Sequence, residues 1–148
     1  MFAHMENIDP QPSASEAREA LATIDGAQRA VRDTPWPAWI YPTNAVLLGA
    51  LALAALLEQD RRFTAISLMF AIVGINLLAG YRTGVPSAVP TSRAFVVLVA
   101  LAGACAAGAY VVAEVTEATW PVVVLAVLAT AGYLLAGAAH RASTGSAT

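Results

Sequence analysis

Four stretches without a single charged side chain dominate this chain: residues 34–57, 63–81, 94–113 and 118–140, which are 24, 19, 20 and 23 residues long. A bilayer core of roughly 30 Å takes about 20 apolar residues to cross as a helix. Each stretch meets that length and is closed by charge: Glu58, Asp60, Arg61 and Arg62, then Arg82 and Arg93, then Glu114 and Glu117, and finally Arg141. Lipid offers the backbone no hydrogen-bond partner, so such stretches must be helices. The pattern predicts an all-α integral membrane protein: an antiparallel up-down four-helix transmembrane bundle with spans at about 38–57, 63–81, 94–113 and 119–139. Charged residues make up only 12% of the chain, against about a quarter in soluble domains.

The ends of the spans carry the expected markers. Trp36, Trp39, Tyr41, Tyr81 and Trp120 sit where an apolar stretch meets charge, and they read as anchors in the headgroup region. Pro42 and Pro121 fall in first turns, where a missing N–H costs least. In a four-span topology Arg18, Arg29, Arg32, Arg82, Arg93 and Arg141 share one side and only Arg61 and Arg62 the other. The positive-inside rule then puts both termini in the cytoplasm of a bacterial plasma membrane. Residues 1–13 show no basic segment followed by an apolar run, so the first stretch is expected to be a retained span rather than a signal peptide. Residues 1–13 and the small, polar tail 141–148 are expected to be flexible or disordered.

Half of the charges lie before the first span, in residues 1–33. Here Ser13 and Glu16 have capping-box spacing, and good helix formers follow. A cytoplasmic amphipathic helix is predicted within 14–34. Its stripe runs Ala17, Leu21, Ile24, Gln28, Val31, at alternating steps of four and three. A lone helix of this length is marginal in water, so Leu21, Ile24, Gln28 and Val31 read as a docking face for a second copy or another protein.

Within the spans the polar residues Asn44, Asn76 and Tyr133 fall at similar depth, about 9 Å from the cytoplasmic ends. They are expected to form a polar layer, chiefly as interhelical glue, with a small ligand pocket as the functional alternative. Gly49, Ala50 and Ala54, then Gly103 and Ala107 with Ala104 and Gly108, and Gly132 with Ala136 offer small-residue patches for close helix packing, within one chain or, through the third span, between copies. The carboxylates of the opposite face are expected to be solvated ends rather than a cation site. Cys105 is alone, and His4 and His140 fall in predicted flexible or interfacial ends. No metal or cofactor is therefore expected. No catalytic set or phosphate-binding loop stands out, and a net charge of −2 gives no electrostatic case for nucleic acid. The expected partners are the lipid bilayer and either the protein itself or another membrane or cytoplasmic protein.

Residues 16–42, with Glu16, Ala17, Arg18, Ala20, Leu21, Ile24, Gln28, Val31, Pro37, Trp39, Tyr41 and Pro42, resemble a pattern in small four-span actinobacterial membrane proteins of unassigned function. The resemblance implies a short helix ahead of an aromatic and proline-rich approach to the membrane, and no activity. Small multidrug exporters are similar in size, but they depend on a glutamate in the first span, and this first span has no acidic residue. The sequence thus reads as a non-enzymatic membrane component that anchors, docks or senses through its N-terminal helix. The alternative is a small transporter or binder of an apolar or cationic compound.

Overall fold

The computed structural model describes residues 13–32, 36–84 and 92–145. Residues 1–12 of the predicted flexible lead 1–13, with His4, residues 33–34 of the predicted helix, the last three residues of the tail and the side chain of Val31 lie outside the described residues. Among those described, every regular element is a helix: α1 (Ala14–Arg32), α2 (Ile40–Leu53), α3 (Arg61–Thr83), α4 (Arg93–Val115) and α5 (Trp120–Gly145), with a single 3₁₀ turn at Ala54–Leu56. The chain divides into two units, residues 1–31 and 32–148.

The first unit is α1. Its start is the predicted capping box. The Ser13 N–H donates to Glu16 Oε2 at 2.7 Å, and the Glu16 N–H donates back to Ser13 Oγ at 3.3 Å. Two of the helix's otherwise unpaired first-turn donors are satisfied reciprocally in this way.

The second unit holds the apolar helices. Three of them, α3, α4 and α5, are long and apolar enough to cross a membrane. α2 is shorter, 14 residues or about 21 Å, because its last turn tightens into the 3₁₀ turn and Leu57 is extended. The chain then reverses through Asp60, whose φ of 60° lies in the left-handed region that a non-glycine residue rarely adopts. α3 ends at Thr83 and is capped by Gly84, where φ is 75° and glycine carries no Cβ penalty. Ser92 starts α4, its Oγ accepting from the Phe95 N–H at 3.5 Å.

α2 packs against α3, α4 and α5, and α4 packs along α5. The seams are built from small residues. Ala45 and Ala52 on α2, Ala102, Ala106 and Ala109 on α4, and Ala126, Ala129 and Ala136 on α5 are all buried. Without a hydrophobic driving force between helices in lipid, such seams gain dispersion energy through close backbone approach. α3 exposes the most: Phe63, Phe70 and Tyr81 are each over 70% exposed.

Two expectations need correction. Residues 141–145 are not a disordered tail: α5 continues through them to Gly145. Its last turns hold because Ala139, Arg141 and Ala142 favour a helix and His140 is buried at 1% exposure; the Ser143 hydroxyl bonds back to the His140 carbonyl at 2.7 Å, which the helix tolerates. Tyr41 is not a surface anchor either. It is 3% exposed, because it points from the first turn of α2 onto α5 at Gly137, where no side chain blocks it.

Candidate functional site

α1 displays the predicted stripe openly. Leu21 is 61% and Ile24 52% exposed, and Ala17 and Gln28 on the same face are exposed as well. Gly26 lies on the opposite face, where a Cβ would meet nothing within 4 Å. The Glu16 carboxyl titrates below the ordinary glutamate range, because the Ser13 N–H and hydroxyl bond its charged form.

The three residues of the predicted polar layer do come together, from three different helices. Asn44 Nδ2 donates to Asn76 Oδ1 at 3.0 Å and to Tyr133 Oη at 3.2 Å. Asn76 Nδ2 donates to Asn44 Oδ1 at 3.1 Å and to the Ile72 carbonyl one turn back at 2.7 Å. Asn44 is 1% exposed. All four amide hydrogens of the pair are thus committed, and each amide oxygen accepts one. Such a cluster ties α2 to α3 and α5 in one register and leaves no idle amide donor for a ligand.

Beside it lies a cluster that the sequence reading missed. His140 is 1% exposed, its ring 5.2 Å from Phe95 and 6.3 Å from Tyr41 between centroids. This corrects the expectation of an interfacial histidine. Trp36 closes the group, stacked on Tyr41 at 6.5 Å and edge-on to Phe95 at 6.3 Å. The signal was present in α5. Its buried positions Val122, Ala126, Ala129, Tyr133, Ala136 and His140 continue one stripe at steps of four and three, and His140 is the next step after Ala136.

The remaining predicted sites divide. Trp39, Tyr81 and Trp120 are exposed, at 44%, 71% and 69%. The small-residue patch on α4 is not where the helices come closest: a Cβ on Gly103 would meet nothing within 4 Å, and one on Gly108 only Leu125 Cδ1 at 3.9 Å. Of that patch Ala107 is exposed. The close approaches are at Gly49 against Thr130, at Gly132 against Ala102 and at Gly137 against Tyr41.

At the far end of α3, Arg61 donates to Glu114 at 2.7 Å and its guanidinium lies 5.4 Å from the centroid of Tyr110. The Tyr110 hydroxyl donates to the Leu51 carbonyl in the last turn of α2 at 2.9 Å. These groups border an open cleft of about 920 Å³, whose walls include Phe63, Ile66 and Val111. Arginine interleaves with the carboxylates here, and among the described residues no three His, Cys, Asp or Glu side chains converge on a metal position. The chain matches no protein-family model, no curated protein and no solved structure.

Proposed function

We propose that this is a small, non-enzymatic multi-pass membrane protein that acts by docking, with α1 as its working surface and the apolar helices as its anchor. Four spans with both termini in the cytoplasm fit the arginine distribution, six against two. α2 serves as the shortest span, extended at its N-terminal end by Trp36 and Trp39. The observation that carries the reading is the exposure of Leu21 and Ile24, at 61% and 52%, on one face of a capped helix. An apolar stripe of this kind on a helix of marginal intrinsic stability calls for a partner. The polar layer supports the anchoring role, because its amide hydrogens are all bonded within the protein.

The test replaces Leu21 and Ile24 by Asp in the full chain and measures the mass of the complex extracted from native membranes in mild detergent. The reading expects the complex to shrink to the lone chain in its detergent micelle. An unchanged mass and an unchanged set of bound proteins overturn it.

A further inference from the structure

The stripe on α1 is complementary to itself when a second copy runs antiparallel. The layers follow from the spacing. With Leu21 set against the partner copy's Ile24, Ile24 meets that copy's Leu21, and Ala17 falls opposite Gln28 at either end. Gln28, the large residue next to the central layers, therefore faces an alanine, which lets the two helices interdigitate. The midpoint of this pairing lies between Ala22 and Thr23, essentially the middle of a helix that runs Ala14–Arg32, so the seam uses the whole element.

The flanking positions agree. Arg18 and Asp25 lie seven residues apart on one edge of the stripe, and in this register each falls beside the other in the partner copy, giving two opposite-charge contacts. On the other edge the equivalent positions are Ala20 and Ala27, small enough for close approach. Sliding one copy by a heptad sets Asp25 against Asp25 and Arg18 against Arg32, which charge repulsion disfavours. In a parallel pair the position flanking Asp25 in the other copy is Ala20, so that arrangement gains no ion pair between copies. Two copies in one bilayer are most simply related by a two-fold axis, and an antiparallel helix pair is itself two-fold symmetric. Confinement to one membrane raises the effective concentration of a seam that would be weak in solution.

We infer that α1 is the dimerisation element of this protein and pairs antiparallel with α1 of a second copy, through Leu21–Ile24 layers flanked by Arg18–Asp25 contacts. The inference rests on the docking reading and names its partner.

The experiment uses full-length protein in nanodiscs with Cys105→Ala throughout. Differently tagged Arg18→Cys and Asp25→Cys chains are mixed and mildly oxidised. A disulfide between the two variants, with neither variant linking to itself, is the expected result, since an antiparallel seam brings position 18 to position 25. Self-linking of either variant, or no link at all, overturns the antiparallel register. In a second arm, Arg18→Asp replaces two attractions with two repulsions and is expected to weaken association about tenfold. Adding Asp25→Arg is expected to restore it to within about threefold. Failure to restore overturns the charge pairing. If Leu21→Asp with Ile24→Asp abolishes association while these arms fail, docking stands and the antiparallel pairing falls. If that double variant associates normally, the docking reading itself falls.

Discussion

The side-chain amides of Asn44 and Asn76 bond each other in both directions, at 3.0 and 3.1 Å, across the contact between α2 and α3. Among the described residues α3 packs chiefly against α2 and the 3₁₀ turn, so this pair helps fix the register of the least enclosed of the apolar helices. Interhelical hydrogen bonds in membranes average about 0.6 kcal/mol and reach about 1.7. Asn44 also donates to Tyr133, whereas Asn76 keeps its bond to the Ile72 carbonyl within its own helix. Asn44→Leu should therefore cost about 1–2 kcal/mol and Asn76→Leu less. A double-mutant cycle by thermal unfolding in detergent should show a coupling of about 1 kcal/mol. Zero coupling would mean that the two amides act independently.

Glycine positions separate close contacts from open ones. A Cβ at Gly137 would come within 2.6 to 2.8 Å of three atoms of Tyr41. Gly137→Ala must push Tyr41 off α5 and disturb its contacts with Trp36 and His140, at a cost of about 1–3 kcal/mol. Gly103→Ala meets open space and should be neutral or slightly stabilising, since alanine favours a helix by up to about 1 kcal/mol. Comparing the two melting temperatures checks the placement of the packing seam.

On α1 the same logic applies outside any interface. Gly26 is unobstructed and opposite the stripe, so Gly26→Ala should raise the helicity of a 13–32 peptide, by up to about 1 kcal/mol. It should leave association of the full chain intact or strengthened, because a better-formed helix loses less entropy on docking. Circular dichroism and a nanodisc association assay measure the two effects.

The capping box gives α1 a pH dependence of defined sign. The folded-state pKa of Glu16 is lowered by its bonds from Ser13. Its contribution is complete above the unfolded pKa, about 4.3, and is lost as the pH falls through the lower folded value. Helix content of an N-acetylated 13–32 peptide, in which the acetyl group keeps the Ser13 amide N–H that bonds Glu16, should show no Glu16-dependent change through neutral pH and a Glu16-dependent drop as the pH falls below the unfolded glutamate pKa. Glu16→Gln keeps a capping-box partner and should flatten that part of the profile.

The Arg61–Glu114 pair should matter little to stability. Its carboxylate side is 68% exposed, and exposed pairs contribute at most about 1 kcal/mol. Glu114→Gln should move the melting temperature only slightly. Tyr110→Phe removes the bond to the Leu51 carbonyl and should cost about 0.5–1.5 kcal/mol.

What could be read in advance follows from which signals are local. Charge boundaries located three long apolar helices, and Ser13–Glu16 spacing located the start of α1, because each depends on adjacent residues. Depth counting brought Asn44, Asn76 and Tyr133 to one level, since helical rise converts sequence distance into height. Azimuth was harder. Whether Tyr41 faces lipid or α5 depends on Gly137, 96 positions later in the chain, and His140 is buried because Phe95 and Tyr41 come from other helices. Of the three small-residue patches, those at Gly49 and Gly132 do mark close approaches, while Gly103 and Gly108 face open space or a distant leucine, and the approach at Gly137 was not foreseen; a facing side chain or backbone decides the matter.

The central claim is that α1 is the working surface and the apolar helices its anchor. The most direct measurement is the oligomeric mass of the protein in nanodiscs with and without residues 1–34. The account predicts self-association in the intact chain and a monomer, still folded by its thermal melt, after the deletion. An unchanged mass after the deletion would contradict it and move attention to the interior of the apolar helices.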